Sequence, residues 1–198
     1  MPVRNSQATR EKILATTVEL FSQKGFYNTS TLEIAKKAGI AEGTVFKHFG
    51  AKKNLLFALV DEINTEEISS LLKEATENKT GMILKDFLKK HKSLIQNNFP
   101  KFKVIIYEAQ FIPELKEKFI EEVALKIFSP LENFINKKIS EGEFKNKNPQ
   151  IVSRAFVGMI ISFIAWQDIL KAEDYKNFED IEVIEEVVEI FLDGIRKN

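Results

Sequence analysis

Thr44, Lys47 and His48 fall within one short run, EGTVFKHF from Glu42 to Phe49. They offer a hydroxyl, an ammonium and an imidazole as donors to phosphate oxygens. If the run is helical, Val45 and Phe49 are four apart and face inward, leaving Glu42, Gly43, Thr44, Phe46, Lys47 and His48 mostly outward. Gly43 lets the start of such a helix approach another surface closely. The chemistry on offer is the binding of a polyanion. Catalytic patterns are missing: the sequence has no Gly-rich phosphate loop, no nucleophile motif and no close grouping of carboxylate and histidine. There is no cysteine, and His48 and His91 are the only histidines, without HxxxH or similar spacing, so neither a thiolate site nor zinc is expected. No cofactor is implied.

The elements that would hold these donors are readable just upstream. Ser30 and Glu33 form an S-x-x-E capping box, which predicts a helix start, and Ile34, Ala35 and Ala38 give that helix a small apolar face. Gly39 suits a helix stop at positive φ, so the turn is placed at Gly39 to Ala41. Before it, Ile13, Leu14, Thr17, Val18, Leu20 and Phe21 repeat at helical spacing up to Gly25. Three helices then fit in about fifty residues, the last two arranged as a helix-turn-helix. A solvated helical hairpin has the same local pattern, and the upstream helix is what favours the DNA-binding reading.

At this point the chain resembles the TetR family of bacterial and archaeal transcriptional repressors. The resemblance rests on RxxIL at Arg10 to Leu14, LF at Leu20 and Phe21, GF at Gly25 and Phe26, and IAKKAGIAEGTVFKHFGAKKNL from Ile34 to Leu55. It covers about residues 9 to 60. It implies DNA contacts at Thr31 and Leu32, at Glu42, Gly43, Thr44, Phe46, Lys47 and His48 on the recognition helix, and at Lys52, which matches a phosphate-contacting lysine. Phe46 stands where the family usually has tyrosine and so lacks a phosphate donor, keeping only apolar contact. Ala41 and Ala51 replace the usual serines, each forfeiting an N-cap bond worth about 1 kcal/mol. Lys53 replaces an acidic residue and adds positive charge beside the expected backbone contact.

Zero net charge conceals an asymmetry. Residues 1–60 hold nine Lys or Arg against four Glu, net +5, which leaves 20 against 25, net −5, for the remainder. Positive charge thus lies with the DNA-binding candidate. The amino-terminal stretch MPVRNSQATREK has no apolar core and is not a secretory signal. Two readings stand for it, a frayed terminus, which is the commoner case, and a disordered basic arm whose Arg4 and Arg10 could reach a minor groove. The absence of cysteine fits a cytoplasmic protein.

The expected fold is all-α with about nine helices. A three-helix DNA-binding domain (1–50) is followed by a helical effector-binding and dimerisation domain (51–198). The fourth helix is expected from Lys52 to Ala75, broken by Asn78, Lys79 and Thr80. The fifth ends near Asn98, and Pro100 starts another. A long helix follows from Glu114 to Glu141, with Gly142 to cap it and a kink near Lys126 to Ser129 from Pro130. Asn148 and Pro149 open the eighth helix. Its apolar run, residues 155–166, is too short for the about 20 residues of a membrane span, so no membrane is expected.

That helix is apolar all round, and the last helix carries more apolar residues than one inward stripe needs. A central buried helix in a monomer has the same pattern, and the family resemblance is what favours a homodimer through Phe156–Leu170 and Ile181–Ile195. A twofold dimer reads both halves of a roughly palindromic double-stranded DNA operator. The family resemblance also implies a small-molecule effector, with Phe87, His91, Tyr107, Phe111, Phe134, Phe163, Trp166 and Gln167 as candidate pocket residues, set against the reading that aromatics at helical spacing are core and that His91 is a partly buried structural histidine. The lack of a basic cluster among them favours an apolar or aromatic effector. A sequence-tolerant architectural DNA-binding protein without an effector is the competing reading.

Overall fold

The computed structural model describes residues 2–73, 80–170 and 178–197. Among these the chain forms ten α-helices: α1 (Pro2–Lys24), α2 (Thr31–Ala38), α3 (Glu42–Phe49), α4 (Lys52–Asp61), α5 (Glu66–Lys73), α6 (Thr80–Glu108), α7 (Pro113–Phe119), α8 (Leu125–Ser140), α9 (Pro149–Phe163) and α10 (Asp180–Ile195). A π-turn, Ile120–Ala124, joins α7 to α8, and a second, Ile164–Ile169, extends α9. With α7 and α8 joined, nine helical stretches result.

That number matches expectation through two compensating differences. The expected fourth helix stops at Asp61, and Asn64 Oδ1 accepts the Glu66 N–H at 2.9 Å to help start α5. The expected end of that helix near Ala75 and its break at Asn78 and Lys79 lie outside the described residues. Conversely, Pro100 does not start a helix; it sits inside the 29-residue α6. Pro130 likewise lies within α8, and the departure from α geometry falls earlier, at Ile120–Ala124. The amino-terminal arm also differs from expectation: α1 is helical from Pro2.

The chain divides into two compact units that do not follow chain order. One contains residues 1–63 and 98–123, the other 64–97 and 124–198. In the first, Ile13, Leu14, Leu20 and Phe21 of α1 meet Ile34 and Ala38 of α2, Val45 and Phe49 of α3, and Leu55, Leu56 and Leu59 of α4 in one buried core. Ser30 caps α2 by accepting the Glu33 N–H at 3.1 Å, and Gly39 ends it at φ +64°. The Glu33 carboxylate pairs with Lys24 and also meets the Ser30 backbone, and the two hold its carboxyl below the usual range, the Lys24 hydrogen bond first.

In the second unit an aromatic column forms the core. Phe87 stacks on His91 at 5.9 Å and on Phe156 at 6.1 Å, and Phe156 meets Phe191 at 4.4 Å. Asn148 caps α9, its side chain accepting the Gln150 N–H at 2.9 Å, and Gly142 takes φ +79° after α8.

The segment Pro149–Gln167, 19 residues with mean hydropathy 1.4, is long and apolar enough to cross a membrane by length and composition. The expectation that it is too short is corrected, since the helix runs beyond the apolar run counted from sequence. Only 28% of the window is buried within the chain. Its inner face, Phe156, Val157 and Ile160, is buried, and α9 packs against α8 and α10. Arg154 on the same helix pairs with Glu132 at 3.2 Å.

Candidate DNA interface and effector cleft

Helix α3 delivers the residues expected from its spacing. Val45 and Phe49 are buried, Phe46 and Lys47 are exposed, and Glu42, Thr44 and His48 are half-buried at its margin. Leu32 of α2 and Phe46 of α3 are each 46% exposed, so both large apolar side chains are available at the surface of the helix-turn-helix. Gly43 is exposed, and a Cβ added there would meet no heavy atom within 4 Å. Nothing inside the chain therefore requires glycine at 43, although it costs a helix about 1 kcal/mol against alanine.

Charge pairing changes what several expected contacts can do. Thr31 Oγ1 donates to Glu42 Oε1 at 2.6 Å, so the Glu42 carboxylate serves the junction of α2 and α3. Lys53 does not stand as an uncompensated charge: its ammonium is 2.7 Å from Glu114, whose carboxyl is held below its usual range by that hydrogen bond. Arg10 is not placed to reach a groove as expected. It pairs with Glu62 at 2.5 Å and lies over the Phe49 ring at 5.7 Å, an ion pair and a cation–π contact that hold it within the unit. The Arg4 side chain lies outside the described residues.

Lys52, at the start of α4, lies 4.3 Å from the centre of the Phe26 ring. Desolvation holds this ammonium below the usual lysine value, while attraction from Glu108 raises it. Ala41 and Ala51 occupy the N-cap positions of α3 and α4 in extended conformation, with no side-chain cap bond at either.

The candidate effector residues are not brought together. Phe87 and His91 belong to the aromatic core column. Tyr107 and Phe111, in contact edge-to-face at 5.7 Å, lie exposed in the other unit. Phe163 meets Phe178 at 6.2 Å, and Gln167 Nε2 donates to the Phe178 carbonyl at 3.1 Å. Trp166 is partly exposed on the same segment.

Phe134 alone of the set lines the cleft between α5 and α8, a space of about 550 Å³. Its walls include Leu72 and Leu125 with Lys73, Lys126, Lys137 and Lys138 around them. This basic cleft is not evident from the sequence, because its lysines come from two helices more than fifty residues apart. Lys138 is buried and pairs with Glu141 at 2.9 Å and Glu143 at 3.2 Å. Among the described residues there is no cluster of three or more acidic, histidine or cysteine side chains able to hold a metal.

Sequence reasoning also missed the carboxylates that partner the basic residues of the first unit. Glu62, Glu108 and Glu114 lie tens of residues from Arg10, Lys52 and Lys53, and only the fold joins them.

A basic helix-turn-helix carried by an all-α chain defines a DNA-binding transcriptional regulator. Residues 13–59 match the family described as bacterial regulatory proteins, tetR family. Residues 83–194 match the C-terminal domain of AefR-like transcriptional repressors. The chain belongs to the TetR family of transcriptional regulators.

The chain is similar to the HTH-type transcriptional regulator YvdT of Bacillus subtilis, 28% identical over 173 residues, covering 84% of this chain and 89% of that protein. Its fold is that of NalD, the secondary repressor of the MexAB-OprM multidrug efflux pump in Pseudomonas aeruginosa (TM-score 0.71, 23% identity, 98% of this chain and 99% of the other). It is also that of FadR from B. subtilis, solved in complex with stearoyl-CoA (TM-score 0.71, 21% identity, 94% and 99%).

Proposed function

We propose that the protein is a homodimeric repressor whose hold on a roughly palindromic operator is released by a small-molecule effector. The observation that carries the DNA contact is the face of α3, where an unrequired glycine, an exposed Phe46 and the donors Thr44, Lys47 and His48 lie side by side. Thr31 and Leu32 of α2 flank this face, and Lys52 adds an ammonium at the start of α4. In this reading residues 1–50 bind DNA and residues 51–198 bind effector and dimerise. The protein acts in the cytoplasm, with no membrane partner.

Dimerisation uses Phe156–Leu170 and Ile181–Ile195. Both segments bury one face in the chain's own core and leave large apolar side chains on the other: Ile161 is 43% exposed and Ile190 59%. Two recognition helices then lie about 34–36 Å apart on successive turns of one DNA face.

The effector carries an acyl chain, which the apolar wall of the α5–α8 cleft would take, and the lysines around that wall suit an anionic end rather than a wholly apolar compound. Support comes from the apolar wall of the α5–α8 cleft, Leu72, Leu125 and Phe134, and from the stearoyl-CoA held by FadR of the same fold. Release follows if the effector favours a conformer whose recognition helices no longer fit the groove spacing, a coupling of about 1–3 kcal/mol.

The test is Lys47→Ala in the full chain, on an operator selected from random duplexes. A phosphate contact gives weaker binding on all sequences and a flatter salt dependence, and a base contact gives relaxed preference at one position. Unchanged binding overturns the assignment of α3, and equal affinity of the unaltered protein for operator and random DNA selects the architectural reading.

A further inference from the structure

Glu108 is 2% exposed in the last turn of α6, where a carboxylate opposes the helix dipole. Nothing on the DNA face asks for it. Its Oε1 accepts the Phe26 N–H at 2.7 Å, and Gly25 takes φ +78°, where an added Cβ would be strained by the backbone and would lie in ordinary contact with the same oxygen, at 3.5 Å. The α1–α2 link is thus folded around this carboxylate.

Lys52 approaches the same feature from α4. Its ammonium rests over the Phe26 ring, half-buried, and within the field of Glu108. Lys52 and Glu108 thus meet the same residue, one at the Phe26 ring and the other at the Phe26 N–H, so the ammonium has an internal counter-charge near it without a direct ion pair. To take a DNA phosphate it must exchange that counter-charge for another, and a carboxylate near the phosphate adds repulsion of its own.

We propose that Glu108 is a positioning residue for DNA binding, an internal counter-ion that holds Lys52 against Phe26 and competes with the DNA backbone for it. Lys52 is thereby restrained from the C-terminal end of α6, a helix whose first 18 residues belong to the other compact unit. Operator affinity is set partly by whether α6 keeps Glu108 in place. The inference rests on Lys52 being a phosphate contact, and the experiment separates the two.

Full-length protein, Glu108→Gln, Lys52→Ala and the double variant are titrated with a labelled operator, selected by the unaltered protein, over a range of KCl concentrations. Glutamine keeps a carbonyl oxygen for the Phe26 N–H and removes the charge. The expected result is that Lys52→Ala weakens binding and flattens the salt slope by about one. Glu108→Gln tightens binding about three- to tenfold at low salt, and this gain is lost in the Lys52→Ala background.

Unchanged affinity in Glu108→Gln, or a gain that persists in full without Lys52, overturns the counter-ion role while leaving Lys52 as a contact. Unchanged affinity and slope in Lys52→Ala overturn the contact, and the inference with it. If thermal melting shows that Glu108→Gln does not fold, Phe26→Leu is the second test. It removes the ring that Lys52 rests on, and Glu108→Met, which removes the charge with a side chain of similar length, is run beside it; a Lys52-dependent gain in Glu108→Met supports the proposal and no gain overturns it.

Discussion

Thr31 and Glu42, the first residues of α2 and α3, are joined by a 2.6 Å hydrogen bond from Thr31 Oγ1 to Glu42 Oε1. The bond fixes the start of one helix against the start of the next, and so sets the angle at which α3 is presented. It also commits the Thr31 hydroxyl proton. A phosphate contact from Thr31 then falls to its backbone N–H at the helix start, where the free amides of α2 point.

Thr31→Val and Glu42→Gln are expected to be non-additive in stability. The half-buried pair should show a coupling of about 1 kcal/mol in a double-mutant cycle followed by urea unfolding. Strict additivity of the two substitutions would show that the bond does not hold the α2–α3 junction.

Gly43→Ala separates stability from binding. Helix propensity alone should stabilise the chain by up to about 1 kcal/mol, since the new methyl meets nothing within the protein. The same methyl stands on the surface proposed to approach DNA. A higher melting temperature with operator binding weakened at least tenfold is expected, and undiminished binding would mean that α3 does not approach DNA at this residue.

Local signals in the sequence were read correctly where the cause of a structure is local. The Ser30 cap, the Gly39 stop, the Asn148 cap and the facing of Val45 and Phe49 depend on residues within one or two turns. The departures arise where distant parts of the chain decide. Pro100 looks like a helix start, yet the helical pattern on both sides of it carries α6 through. Arg10 looks like a free basic arm, yet Glu62 and Phe49, brought by α4 and α3, take its charge and its face. The effector residues were hardest to place, because Phe87 and Tyr107 sit at similar helical positions in sequence while one is fully buried and the other exposed in a different unit.

Ala41→Ser and Ala51→Ser should each raise stability by about 1 kcal/mol. Both alanines already hold the extended backbone a cap needs, φ −73° and −142°, so a hydroxyl can accept an amide proton of the first turn without rearrangement. Guanidinium unfolding of each variant gives the change directly. A change below a few tenths of a kcal/mol would show that water already satisfies these helix ends.

His91 is expected to make stability depend on pH. Burial lowers its pKa from 6.5 to about 4, and its Nδ1 has no hydrogen-bond partner among the described residues. The folded state therefore resists protonation that the unfolded state accepts. Stability is full above about pH 6.5 and falls as the pH drops toward 4, by about 3 kcal/mol in all. His91→Phe keeps the ring stacked near Phe87 and removes the titration. Over that range the variant should lose less stability than the unaltered protein, and parallel losses would show that His91 is not buried as a neutral ring.

The dimer proposal makes the sharpest demand on α9 and α10. Their inner faces supply the core of the second unit, including Phe156 and Phe191, so a substitution there would unfold the chain and say nothing of assembly. Ile161 and Ile190 are apolar and exposed instead. Ile161→Arg or Ile190→Glu should leave the melting of a dilute sample nearly unchanged if it is already monomeric, and should shift the assembly equilibrium strongly, because a buried unpaired charge at an interface costs several kcal/mol. Light scattering should then report a monomer where the unaltered protein is a dimer. Operator affinity should fall with it, since one recognition helix reads only half of a palindrome. A charged variant that remains dimeric and binds the operator as before would place the assembly surface elsewhere on the chain.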